Sequence, residues 1–395
     1  MNIYFIEIFE SHVSGFTTYK QELLSLLKNN KSIKLNIISL YCPIDEFYIS
    51  VNEEVTFFHL PYIKCHTGNV IGTILKLFIE DTYNNTFIIN FAPTYPTIVM
   101  LRKNFPKCKI INVIHDLMWA NFLMGDVNRF KRIIRNEDSY VNKDLIKAIY
   151  YDEINAYMNS DINICLSKDT FKLLNEFYNI PLSKLIIIPN GLRDVKCNID
   201  LQKARKFYGI SQTDKILLYV GRICLQKGII DVINNFDIVL KSVPNCKLVI
   251  AGAIDNKLIG TIKSLYGKNI IILGSIAKQD LYKWYCIADI GLMPSYYEQC
   301  SYSGIEMKMF GLPIIASNGF GIKQMFNSEN SIIVNIGNRN KKNEYGINLT
   351  ESIIKTLTMP HETLNILSIK SRKHYETTFN DEQMLKKYLN LLYTI

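Results

Sequence analysis

Short runs of apolar, β-rich residues recur along the chain at intervals of roughly 20–40 residues. In the first half they occupy 3–6, 35–38, 87–89, 110–114, 162–166 and 185–188. In the second half they occupy 216–220, 248–251, 270–273, 290–293, 314–316 and 332–334. Continuous apolar runs, without polar alternation, suit strands buried on both faces of a parallel sheet. Stretches with helical spacing lie between them, at 17–28, 170–178, 229–241 and 280–287. Alternating strands and helices predict an α/β architecture, and two such sets of about six strands predict two Rossmann-like domains.

Pro189-Asn190-Gly191 is a turn signal that closes the first set. A polar stretch with a short helical pattern at 201–208 follows, ending at Gly209. The expected organisation is therefore domain 1–190, linker 191–212, domain 213–378 and a terminal helix over 379–395. Met384, Leu385, Tyr388, Leu389 and Leu392 form one face of that last helix, which must dock on something.

A length of 395 residues agrees with about two domains. With 48% apolar and 21% charged residues, the composition is that of a globular protein and excludes disorder as the main state. No uncharged apolar run reaches the roughly 18 residues that a spanning helix needs. The first ten residues carry two glutamates and no basic residue, the wrong polarity for a secretory signal. Nine scattered cysteines, without a C-x-x-C, read as reduced thiols in a cytoplasmic protein. There is no paired-histidine motif and no Asp-x-Asp, so no protein-held metal is expected. The net charge of +9 is uneven: residues 1–195 hold 20 basic and 20 acidic side chains, and the remainder holds 25 and 16. A basic second half can attract an anionic ligand such as a nucleoside diphosphate; a plain solvated surface is the alternative. No aromatic–basic motif points to nucleic acid.

The strand at 216–220 ends in Gly221-Arg222, with Lys227-Gly228 opening the next helix. Ligands of open α/β sheets bind beyond the carboxyl ends of strands. There an arginine fork, a lysine and helix amides can cradle a diphosphate, although two loop cations in water would look the same. The strand at 290–293 leads through Pro294-Ser295 to Glu298-Gln299-Cys300-Ser301-Tyr302-Ser303-Gly304-Ile305-Glu306. A helix beginning near Ser301 leaves the amides of Cys300, Ser301 and Tyr302 as unpaired donors between two carboxylates that suit sugar hydroxyls. A helix-dipole partner and a surface ion pair are the plain readings of the two glutamates.

The order G-R-x4-K-G, P-S, E-x7-E and then Gly311-Leu312-Pro313 resembles the retaining GT-B glycosyltransferases of family GT4. Ile188-Pro189-Asn190-Gly191, Gly274-Ser275-Ile276 and Ala288-Asp289 extend the resemblance over most of the chain. It implies two Rossmann-like domains facing across a cleft, with the C-terminal helix crossing back to the first. It further implies that Arg222 and Lys227, with Gly221 beside them, meet the diphosphate. Glu306 would accept from the ribose and Glu298 from the transferred sugar. Amides of Cys300, Ser301 and Tyr302 would hold sugar or phosphate oxygens, and the backbone at Ile276 would meet the base. In the first domain, His115 would lie near the donor sugar and Gly15 near the diphosphate. The donor would be a UDP- or GDP-sugar, used as substrate with no cofactor. The acceptor would be a glycan, a lipid-linked sugar or a polypeptide in bacterial glycoconjugate synthesis.

Departures include Ser14-Gly15 in place of Gly-Gly, a glycine-poor Gly252-Ala253-Ile254-Asp255, and Gln324 where the family often has glutamate. A basic, partly apolar stretch (Arg129, Phe130, Lys131, Arg132, Ile133, Ile134, Arg135) is a candidate for peripheral contact at the inner face of the cell membrane; a solvated helix face with a buried stripe is the alternative. Two other functions share this fold. One is a catalytically inactive GT-B scaffold that binds a partner glycosyltransferase or a glycan. The other is a sugar-nucleotide epimerase.

Overall fold

The computed structural model describes residues 1–9, 15–62, 67–91, 95–253, 256–339, 341 and 343–395. The chain divides into two compact units, Met1–Gly191 with Asp381–Ile395, and Leu192–Asn380.

The first unit holds β1 (Asn2–Ile8), β2 (Lys34–Cys42), β3 (Tyr48–Asn52), β4 (Val55–Pro61), β5 (Asn85–Ile89), β6 (Lys109–Ile114), β7 (Ile162–Cys165) and β8 (Leu185–Ile187). They form one sheet in the order β3-β4-β2-β1-β5-β6-β7-β8, parallel except for the β3–β4 hairpin at its edge. That hairpin was not expected from the sequence. Its turn is Glu53-Glu54, both with positive φ (47° and 68°). Such a turn usually announces itself by Asn-Gly, and two glutamates hide it. The central strand β5 buries every residue and β1 buries residues 3–6, as their apolar runs require.

The second unit holds β9 (Lys215–Val220), β10 (Cys246–Ala251), β11 (Ile270–Gly274), β12 (Ile290–Met293), β13 (Ile314–Ser317) and β14 (Ile332–Val334). All six runs expected there are strands, joined in a wholly parallel sheet of order β11-β10-β9-β12-β13-β14. The order reverses direction at β9 and β12, the topological switch point of a doubly wound sheet.

The helix expected over 229–241 is two helices, Ile229–Asn234 and Phe236–Ser242. Asn235 separates them. Its side chain donates to Asp231 O at 2.8 Å and exchanges hydrogen bonds with the Asn343 amide at 2.9 and 3.0 Å. A side-chain amide bonded to local backbone competes with helix propagation.

The stretch expected as a linker, 191–212, belongs to the second unit from Leu192 onward. Asp200 caps its helix Leu201–Phe207 by accepting from the amides of Gln202 and Lys203. Arg205 is 9% exposed and donates to Ile287 O and Asp289 Oδ2 at 3.0 and 2.9 Å. The last helix, Asp381–Thr394, belongs to the first unit and buries Met384, Tyr388, Leu391 and Leu392. The Tyr388 hydroxyl is hydrogen-bonded to that of Tyr19 on the helix Gly15–Leu27.

Candidate active site

Four loops at the carboxyl ends of β9, β10, β12 and β13 meet in the second unit. Gly221 follows β9 with φ +154°, and a Cβ on Gly252, after β10, would lie 2.0 Å from its carbonyl oxygen. Only glycine fits where two backbones approach so closely. The Tyr219 hydroxyl donates to Arg222 O at 2.7 Å and fixes the backbone at that exposed arginine. A single 3₁₀ turn, Leu225–Lys227, then ends at Gly228, whose own Cβ would meet Pro294 O at 1.9 Å. The Tyr296 amide donates to Gln226 O at 2.8 Å. The lysine-bearing turn is thereby held against the loop that follows β12.

That loop carries Glu298. The Glu298 amide donates to Phe320 O at 3.1 Å, and Gly321 packs with φ +79° against the Glu298 carbonyl. The Glu298 side chain is 11% exposed. Its Oε1 accepts from Lys227 Nζ at 2.6 Å and from Ser295 Oγ at 2.8 Å. The two residues expected to serve diphosphate and sugar separately are thus one ion pair, with Ser295 of the P-S motif, to which no role was assigned, as a third member.

Ser301 caps the helix Tyr302–Met309, its Oγ accepting from the Gly304 amide. The Ser301 amide donates to Met325 Sδ at 3.2 Å. The expectation of an unpaired donor at Ser301 is therefore corrected: a thioether, a weak acceptor, occupies that amide. Cys300 is 7% exposed. Ile276 is half-buried in the turn after β11, two residues before the helix Lys278–Ile287.

Glu306 lies one turn into the helix Tyr302–Met309 and is 4% exposed. It accepts from the Tyr285 hydroxyl at 2.8 Å through Oε2, while Lys278 Nζ lies 3.7 Å from Oε1. Neither Tyr285 nor Lys278 was found by sequence reasoning. They come from a helix that reads as ordinary amphipathic pattern, and only the fold turns them toward Glu306.

Arg222, Lys227, Glu298, Cys300, Ser301, Tyr302, Glu306, Gly221 and Ile276 all belong to the second unit; His115 and Gly15 belong to the first. Gly15 opens the helix Gly15–Leu27, and Ser14 falls outside the described residues, as do Ile254 and Asp255. His115 follows β6. Its Nε2 is hydrogen-bonded to Asn90 Oδ1 at 2.7 Å, and the rings of Phe16 and Tyr19 pack edge-on against it at 4.9 and 4.6 Å. Desolvation lowers its pKa to about 3, so the ring is neutral at physiological pH.

The basic stretch is the helix Val127–Ile134, with Phe130 and Ile133 fully buried. Arg129 and Arg132 pair with Asp138 at 3.4 and 3.2 Å. Its main apolar residues point into the protein, so it has the form of a solvated face over a buried stripe. Among the described residues, no helix is long and apolar enough to cross a membrane.

Two units, each a largely parallel sheet, with charged side chains gathered at a switch point, define the GT-B fold. Residues 200–373 match the family model described as glycosyl transferases group 1. An uncharacterized glycosyltransferase of Methanocaldococcus jannaschii is 29% identical over 191 residues, 46% of this chain and 49% of that protein. The capsular polysaccharide biosynthesis glycosyltransferase CapM of Staphylococcus aureus is 26% identical over 154 residues, 38% of this chain and 40% of that protein. The chain thus spans about half the length, or less, of these curated relatives. The sucrose-phosphate synthase structure from Thermosynechococcus elongatus superposes with TM-score 0.74 at 18% identity, covering 99% of this chain and 98% of that one. Anabaena Alr3699/HepE in complex with UDP-glucose gives TM-score 0.72 at 12% identity, with both chains wholly covered.

Proposed function

We propose that the protein is a retaining glycosyltransferase that moves a sugar from a UDP- or GDP-linked donor to a glycan, lipid-linked or polypeptide acceptor in bacterial glycoconjugate synthesis. The observation that carries this reading is the joined Lys227–Glu298–Ser295 group at the ends of β9 and β12, with Glu306 on the helix that follows. Support also comes from the UDP-glucose complex of HepE and from the biosynthetic role in CapM's name.

In this reading the task is electrostatic. Negative charge grows on the diphosphate as the glycosidic bond breaks, and preplaced donors stabilise it without reorganising. Lys227 has three N–H donors, so it can keep Glu298 and still meet a phosphate oxygen. Arg222 is exposed and adds a planar fork. Glu298 has one oxygen engaged and offers the other to hydroxyls of the sugar. Glu306 serves the ribose. The cations and helix amides do this work without a protein-held metal. Departure of the diphosphate and attack by the acceptor occur on one face, with the leaving phosphate as base, so configuration is retained.

The test is thermal stabilisation by UDP, GDP, ADP and their common sugar conjugates, on the wild type and on Glu306→Ala. Stabilisation by one nucleotide, lost in the variant, is the expected result. A folded protein that responds to none of them overturns the proposal and favours the inactive scaffold. Once a donor is known, NMR of the product anomer tests retention, and an inverted product refutes it.

A further inference from the structure

The hydrogen bond between Tyr285 and Glu306 is locked from both ends. Tyr285 is 1% exposed, and its ring stacks on Phe310, the residue that ends the Glu306 helix, with centroids 5.3 Å apart and planes 10° apart. Its hydroxyl reaches Glu306 Oε2 at 2.8 Å. Burial first, and Glu306 second, push the phenol's pKa well above its ordinary value, so it keeps its proton and donates. A carboxylate that turns freely presents either oxygen in many orientations. A carboxylate pinned through one oxygen presents the other in a single orientation, and the ordering cost is met before ligand arrives. Lys278 has no such hold: it is 43% exposed, and 3.7 Å lies beyond hydrogen-bond distance.

We infer that Tyr285 is a positioning residue for nucleoside recognition, pinning Oε2 of Glu306 so that Oε1 accepts from the ribose hydroxyls and favours ribo- over 2′-deoxyribonucleoside diphosphates. The inference rests on the nucleoside-diphosphate reading of this site. Tyr285 acts through Glu306 and does not itself touch the ligand.

Calorimetric titration with UDP, GDP and ADP, and with dUDP, dGDP and dADP, tests it on wild type, Tyr285→Phe, Glu306→Gln, the double variant and Lys278→Ala. Hydrogen bonds to charged groups set the scale: Tyr285→Phe weakens the preferred ribonucleotide by about 10-fold or more. It also narrows the preference over the 2′-deoxy form, a change that a merely structural loss would not produce. In the Glu306→Gln background the same substitution adds little. Lys278→Ala shifts affinity by no more than about fivefold, as an exposed pair should. If the wild type discriminates but Tyr285→Phe keeps both affinity and discrimination, this inference alone fails. Loss of affinity with unchanged discrimination, or equal effects in both backgrounds, overturns it too. If the wild type binds none of the six nucleotides, the reading of the site fails and the inference falls with it.

Discussion

The Lys227 ammonium lies 2.6 Å from Glu298 Oε1, although the two residues stand 71 positions apart in sequence. Each partner comes from the end of a different strand. Both side chains are partly sheltered, 23% and 11% exposed, so the pair is worth more than a surface ion pair. Removing one partner leaves the other's charge poorly compensated. Lys227→Ala is therefore expected to lower turnover on the order of 100–1,000-fold, the usual cost of one preorganised donor. It also lowers the melting temperature. Lys227→Ala combined with Glu298→Gln recovers the melting temperature but not the turnover, because the orphaned charge is gone while the donor is still missing. Near-normal turnover in Lys227→Ala would remove the lysine from the mechanism.

Arg222 makes the opposite case. Its side chain is exposed, and its backbone is held by Tyr219 whatever the side chain is. Arg222→Ala is expected to change stability by no more than about 0.5 kcal/mol. Turnover should nevertheless fall by roughly the same 100–1,000-fold. Arg222→Lys restores the charge but not the fork, so only partial recovery follows. Paired melting curves and steady-state rates check this. A drop in stability that matches the drop in rate would make the residue structural.

Gly321 fixes the loop that presents Glu298. Its φ is +79°, and an added Cβ would sit 1.7 Å from the Glu298 carbonyl oxygen. Backbone on both sides leaves no flexible side chain to move aside. The left-handed conformation alone costs a non-glycine residue about 1–2 kcal/mol. Gly321→Ala is expected to exceed that cost and to weaken donor binding by displacing Glu298. Gly260→Ala, on an exposed helical site with nothing within 4 Å, should be neutral or stabilising. Chemical denaturation of the two variants gives the comparison. Equal behaviour would mean that the 319–321 loop simply yields.

The second sheet was legible because each of its strands is an unbroken apolar run, as in 216–220 and 290–293. Arg222, Lys227 and Glu298 stood out because they follow the ends of strands, and Glu306 because of its spacing from Glu298. Three features were hidden for physical reasons. The β3–β4 hairpin turns on Glu53-Glu54, residues with no turn preference. The break at Asn235 coincides with hydrogen bonds to Asn343, 108 positions away. Tyr285 and Ser295 acquire meaning only when folding brings them to Glu306 and Glu298. Side-chain pairing across elements leaves no periodic trace.

Lys308 is a lysine of the second unit's interior. It is fully buried, two residues from Glu306 on the same helix. Its Nζ donates to Asn330 Oδ1 at 2.9 Å and lies 4.9 Å from the Phe326 ring centre. Desolvation lowers its pKa to about 7. A lysine with a depressed folded pKa destabilises the fold as pH falls from the unfolded value toward the folded one, and the full penalty is present below about pH 7. Methionine has a similar length and no charge to desolvate. Asn330 Oδ1 would keep its bond from Ser331 Oγ at 2.9 Å, so no acceptor is stranded. Lys308→Met is therefore expected to stabilise the protein by about 1–4 kcal/mol at pH 6, the range seen when buried charge gives way to packed apolar groups. The gain should shrink steadily toward pH 10, where the lysine is neutral in the fold and has begun to lose its proton when unfolded. Urea denaturation at pH 6, 8 and 10 measures it, and a gain that is absent at pH 6 or flat with pH would mean that Lys308 carries no desolvated charge.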